Sequence, residues 1–97
     1  MKTFETEIKI IAPILKNSDV VFAGVFGSYA RGEATEKSDL DLLIKFAKPK
    51  TLLNLVRLER ELSSIFKKKV DLTTEGALSP HIKDAVLHDL KIIYGKR

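Results

Sequence analysis

Val20-Val21-Phe22-Ala23-Gly24-Val25-Phe26-Gly27-Ser28-Tyr29-Ala30-Arg31-Gly32-Glu33, then four residues, then Ser38-Asp39-Leu40-Asp41-Leu42-Leu43-Ile44-Lys45-Phe46, is the stretch on which the fold turns. Val20–Phe26 is a short continuous apolar run, which suits a buried strand better than a helix of that length. Gly27-Ser28 interrupts it where the strand gives way to a short turn or helix, and a polar stretch runs from Arg31 to Lys37. Asp39–Phe46 reads as a second strand, with Leu40, Leu42 and Ile44 on one face and Asp39, Asp41 and Leu43 on the other. Gly27 and Gly32 match the glycine spacing of a P-loop, but Glu33-Ala34 stands where that motif demands Lys followed by Ser or Thr, so the P-loop reading fails.

Outward from this stretch, Phe4, Ile8, Ile11, Ala12 and Leu15 recur at helical spacing and predict an amphipathic helix ending near Asn17, kinked or restarted at Pro13. Beyond the break at Pro49, Leu52, Leu55, Val56, Leu58, Glu59, Leu62, Ile65 and Phe66 trace a helix from about Thr51 to Lys68. Val70-Asp71-Leu72-Thr73 is a third, short strand. Ser79-Pro80 reads as an N-cap with first-turn proline, opening a helix through Ile82, Val86 and Leu90, and Ile92-Ile93-Tyr94 can add an edge strand. The order α-β-β-α-β-α(-β) implies an α/β (α+β) fold, a small mixed sheet covered by helices, in one domain spanning residues 1–97.

Composition narrows the function classes. The 97 residues contain no Cys and two His, which excludes a disulfide scaffold, thiolate zinc and a His-rich substitute. No apolar run approaches the roughly 20 residues that span a bilayer. Met1-Lys2-Thr3-Phe4-Glu5 meets an acidic residue before any apolar segment, so no signal peptide and a cytoplasmic location are expected. A net charge of +4 is compatible with a polyanionic partner without requiring one. The run Lys67-Lys68-Lys69 reads as cations at a helix C-terminus.

The carboxylates carry the chemistry. Asp39 and Asp41, two apart on a strand, project from one face roughly 6–7 Å apart. They are either solvated at an exposed strand start or held together by a cation, and a hard ion such as Mg²⁺ takes one or two carboxylates with waters and substrate phosphates. Should Val70–Thr73 pair beside the second strand, Asp71 joins them, and three carboxylates suit a two-metal site for phosphoryl chemistry. The backbone at Gly27 can approach a ligand closely, and free N–H groups with the Ser28 hydroxyl can hold phosphate oxygens; an ordinary tight turn is the plain alternative. Arg31 has two readings: it supports phosphates, or it braces the turn through a carboxylate such as Glu33. His81 and His88 read as surface or helix-end residues, Tyr29 and Tyr94 as packing residues, and Ser38 as a cap at the strand entry.

These motifs, Gly27 to Glu33 followed by Ser38-Asp39-Leu40-Asp41-Leu42-Leu43-Ile44, resemble the signature of the DNA polymerase β-like nucleotidyltransferase superfamily, and more narrowly its minimal nucleotidyltransferases. The leading helix, Val70-Asp71-Leu72 and the Leu78-Ser79-Pro80 helix fall where that family has them, so the resemblance covers nearly the whole chain. It implies a polymerase β palm-like fold and transfer of AMP from ATP to a hydroxyl, with release of pyrophosphate. Gly27, Ser28 and Arg31 would bind the nucleotide; Asp39, Asp41 and Asp71 would be catalytic and hold Mg²⁺, two ions being expected, with Asp71 also helping to deprotonate the acceptor. The resemblance further implies an antitoxin whose partner is a HEPN-type toxin, an RNase silenced by adenylylation of a tyrosine, in a hetero-oligomer. A second reading is a non-catalytic antitoxin that neutralises its toxin by complex formation. Direct nucleic-acid binding is not expected, because aromatic and basic residues are not interleaved.

Overall fold

The structure, a computed structural model, describes residues 5–96. In chain order the elements are α1 (Glu5–Asn17), β1 (Val20–Phe26), α2 (Ser28–Arg31), β2 (Leu40–Phe46), α3 (Leu52–Phe66), β3 (Val70–Thr74), a 3₁₀ turn (Glu75–Ala77), α4 (Pro80–Asp89) and β4 (Lys91–Gly95). The expected succession is present, with a four-residue helix added inside the Gly-Ser stretch.

Local chemistry accounts for most boundaries. α1 runs through Pro13 as one element, so of the kink or restart expected there the restart does not occur. Pro13 and Lys9, whose carbonyl loses its helical partner to the proline, are both exposed residues. Phe4, counted with this helix in the sequence pattern, lies outside the described residues. Thr51 opens α3 with a capping box, its hydroxyl accepting from Asn54 N–H while the Asn54 side chain accepts from Thr51 N–H. The helix stops at Phe66 rather than Lys68 because Lys67 turns left-handed, at φ 56°, and its N–H returns to the Ser63 carbonyl. Ser79 caps α4 through His81 N–H with Pro80 in the first turn.

The four strands form one sheet in the order β3-β2-β1-β4. β1 lies antiparallel to both β2 and β4, while β2 and β3 are parallel and joined through α3, the kind of crossover a parallel pair requires. One face of the sheet packs against α1 and α3. There Ala23, Val25, Leu40, Leu42, Ile44, Val70 and Leu72 meet Ile11, Leu15, Leu58, Leu62 and Phe66. Each such Leu or Ile contributes about 1.5–3 kcal/mol on burial.

The other face differs from the simple alternation. Asp39 lies just before β2 rather than inside it. Leu43, on the carboxylate face, is only 2% exposed, and Phe22 on the same face matches it. Beside them Gly24 leaves room for Leu90: a Cβ there would come within 2.7 Å of a Leu90 methyl. The α4–β4 junction therefore covers this face over β1, whereas over β2 and β3 it carries half-buried Asp41 and Asp71.

β3 is an edge strand, yet two of its outward N–H groups are bonded. Val70 N–H donates to Ser63 Oγ at 3.0 Å and Leu72 N–H to Glu59 Oε2 at 2.9 Å. Glu59, which the sequence pattern counted in the apolar stripe of α3, thus fastens the strand on one side of Asp71, and Ser63 fastens it on the other.

Candidate active site

The site begins where β1 ends. Phe26 pairs with Asp41, and the next residue, Gly27, has φ 75° and ψ −152°, a conformation essentially restricted to glycine. A Cβ on Gly27 would lie 2.6 Å from Asp41 Oδ2. Gly27 is therefore required twice, by its dihedral angles and by the carboxylate packed against it. Gly32 closes the turn in the left-handed region, and Glu33 N–H bonds the Ser28 carbonyl at 2.9 Å. Between this turn and β2, Ser38 acts as expected at the strand entry: its Oγ accepts from Thr35 N–H at 2.9 Å.

Parallel pairing sets Asp41 directly beside Asp71. Two carboxylates thus occupy adjacent positions on one face, with Asp39 one pleat upstream of Asp41. Burial pushes the Asp41 carboxyl above its ordinary pKa; the negative charges of Asp71 and Asp39 add to this, and the Arg31 charge opposes it. Asp71 Oδ1 lies 3.9 Å from Lys69 Nζ. Among the described residues no three His, Asp or Glu side chains are already gathered as a metal cage. The donor set nevertheless fits a hard divalent cation: oxygen ligands only, two of them in register, and a carboxylate whose charge is disfavoured until something positive sits beside it.

Arg31 braces the turn. Its Nε donates to Glu33 Oε1 and its Nη1 to Asp89 Oδ2, each at 3.0 Å. The bond to Glu33, then that to Asp89, raises the guanidinium pKa and keeps it cationic. The carboxylate brace expected of Arg31 is present, and its field also reaches Asp41. Asp89 at the end of α4 escaped the sequence reading, since no local pattern links it to a turn 58 residues earlier.

The lysine run differs from cations idling at a helix end. Lys67 is the C-cap, Lys69 faces Asp71, and Lys68 Nζ lies 4.4 Å from the Tyr29 ring centroid and donates to the Tyr29 hydroxyl. Tyr29 and Tyr94 pack against the main core, as expected of them. His81 and His88 are exposed in the first and last turns of α4. Asp39, Asp41, Asp71, Gly27, Ser28 and Arg31 thus converge on one end of the sheet.

Residues 9–97 match the sequence profile of the polymerase beta nucleotidyltransferase family. A candidate protein adenylyltransferase of Methanocaldococcus jannaschii is 45% identical over 89 residues, covering 92% of this chain and 95% of its own. The protein adenylyltransferase MntA of Thermococcus cleftensis is 42% identical over 67 residues, covering 69% of this chain and 68% of its own. Among solved structures, a candidate minimal nucleotidyltransferase superimposes with a TM-score of 0.81 at 36% identity, covering 93% of this chain and 92% of its own. A chain of a substituted MntA–HpeT toxin–antitoxin complex gives 0.75 at 27% identity, covering 94% of this chain and 73% of its own.

Proposed function

The chain belongs to the polymerase beta nucleotidyltransferase family, in its minimal branch, and from that premise we propose that it transfers AMP from ATP to a tyrosine hydroxyl of a HEPN-type toxin and so acts as that toxin's antitoxin. The observation that carries this reading is the register of Asp41 with Asp71 beside the Gly27 turn. The protein adenylyltransferase relatives support the donor, and the toxin–antitoxin neighbour supports the partner and a hetero-oligomer.

Mg²⁺, as one or two ions, would be held by Asp39, Asp41 and Asp71, and when bound it would neutralise triphosphate charge and polarise the phosphorus. The chain's own groups do the rest. The turn at Gly27 offers backbone N–H groups and the Ser28 hydroxyl to phosphate oxygens, and Arg31 adds fixed positive charge near them. Asp71 receives the proton of the attacking hydroxyl. The hydroxyl oxygen bonds the α-phosphorus, the bond to the β-phosphate oxygen breaks, and pyrophosphate leaves. The acceptor protein completes the walls that exclude water.

Incubating the chain with α-labelled ATP, Mg²⁺ and the toxin supplies the test. Label on a toxin tyrosine supports the enzyme; a tight complex without label means neutralisation by binding alone. Excess chelator should weaken ATP binding at least about tenfold, because Asp39 and Asp41 would otherwise repel the triphosphate.

A further inference from the structure

At the end of the sheet opposite the Gly27 turn lies a hollow of about 1020 Å³. Its lining includes Phe22, Leu43, Lys45, Lys48, Leu52 and Glu75. We propose that it receives an acidic, apolar-anchored segment of the acceptor protein and guides the acceptor hydroxyl to the carboxylates. This deepens the adenylyl-transfer reading and rests on it.

Three observations converge. The first is position. On β2, Asp41, Leu43 and Lys45 follow one another on one face, and Leu43 and Lys45 line the hollow together with Ile44 and Phe46 of the other face, so it wraps the far end of the sheet and begins two residues from Asp41, roughly 6–7 Å along the strand. Phe26, next to the turn, pairs with Asp41, whereas Phe22 pairs with Lys45 at the other end. The sheet therefore runs from turn to carboxylates to hollow. In-line displacement needs attacking and leaving oxygens on opposite sides of phosphorus. With pyrophosphate leaving toward the turn, the attacker arrives from the hollow's side.

The second is size and surface. The volume lies at the upper end of small-molecule pockets and suits a polypeptide segment. Leu52 at its lip is 75% exposed, an apolar anchor point that the described residues leave largely uncovered.

Charge is the third. Lys50 is committed to Asp19 at 2.6 Å, and Lys48, 66% exposed, stands 3.8 Å from the same carboxylate. Lys45 is exposed, and Glu75 is faced by Lys83 at 3.9 Å. The rim thus keeps a positive excess complementary to acidic side chains.

The test uses two short synthetic peptides, each with one tyrosine, one rich in Glu and Leu and the other in Lys and Leu. With the wild-type chain, Mg²⁺ and α-labelled ATP, the acidic peptide should be labelled about tenfold faster. The Lys45→Glu/Lys48→Glu variant should lose that preference and bind Mg-ATP as the wild type does, since two rim charge pairs amount to about that factor. A wild-type chain that binds Mg-ATP but labels both peptides alike, or neither, overturns the groove while leaving nucleotide chemistry standing. So does a preference that survives in the variant, or a variant with weakened Mg-ATP binding, which would put the nucleoside in the hollow. A wild-type chain that binds no Mg-ATP overturns the transfer reading itself, and the groove with it.

Discussion

Replacing Asp41 with Asn should stabilise the metal-free protein while abolishing its response to Mg²⁺. The register with Asp71 puts the two side chains on neighbouring strands, with Cβ atoms about 5 Å apart and charges about 6 Å apart. Coulomb's law at that distance gives about 0.7 kcal/mol of repulsion in a water-like dielectric and about 3 kcal/mol at an effective dielectric of 20. The Asp71 side chain is 40% exposed, so solvent screening holds the value near the lower end, about 1 kcal/mol. For a domain of this size that corresponds to a melting shift of about 4–8 °C. The sign with pH follows from the raised Asp41 pKa. Protonated Asp41 suits the folded chain better than the ionised form, so the wild type carries no penalty below the ordinary carboxyl value of 3.8. The penalty develops as pH rises through the raised pKa. In chelator, Asp41→Asn should therefore melt higher than the wild type at about pH 7 and alike at about pH 3. Added Mg²⁺ should raise the wild-type midpoint and leave the variant's unchanged. A variant that melts at or below the wild type at neutral pH in chelator would refute the like-charge account of the site.

Asp71→Asn should retain Mg-ATP binding within a fewfold, by calorimetry, while transfer to the partner falls about 10²–10⁴-fold in a label assay. Gly27→Ala should displace the Asp41 carboxylate and strain the turn, costing about 1 kcal/mol or more in denaturant titration together with the loss of metal-dependent nucleotide binding; an unaltered ATP affinity would count against the packing of Asp41 on that glycine. Glu59→Ala leaves the Leu72 N–H without its partner and should cost about 1–3 kcal/mol by urea unfolding, with faster amide exchange at Leu72 as the local signature. Asp89→Asn should leave the fold intact but weaken the hold on Arg31 and raise the KM for ATP more than it lowers kcat, and Asp89→Glu should restore part of the loss.

Much of this architecture was legible in the sequence because the decisive signals are local. The apolar run Val20–Phe26, the Ser79-Pro80 cap and the stripe of α3 each depend on neighbours within a few residues, and the elements form where those patterns lie. Asp39 and Asp41 were readable for the same reason. Asp71 depended on strand order, which periodicity does not encode; the parallel pairing of β2 with β3 brings it beside Asp41. Asp89 and Lys68 were not legible, since their contacts with Arg31 and Tyr29 join elements distant in sequence. Glu59 was misplaced among apolar neighbours because helical spacing reports which face a residue lies on, not that its carboxylate binds a strand's backbone there. Leu43 shows the converse: alternation put it on the carboxylate face, and no local signal marks its burial.

The fastening of β3 by Ser63 and Glu59 also bears on how the protein avoids self-association. An edge strand with open N–H groups is a template on which another extended chain can grow a sheet, in fibres as well as in ordered assemblies. Here two of those groups already have side-chain partners, and they flank the residue that faces Asp41. This margin of the sheet is thus guarded at two positions against being extended by another chain.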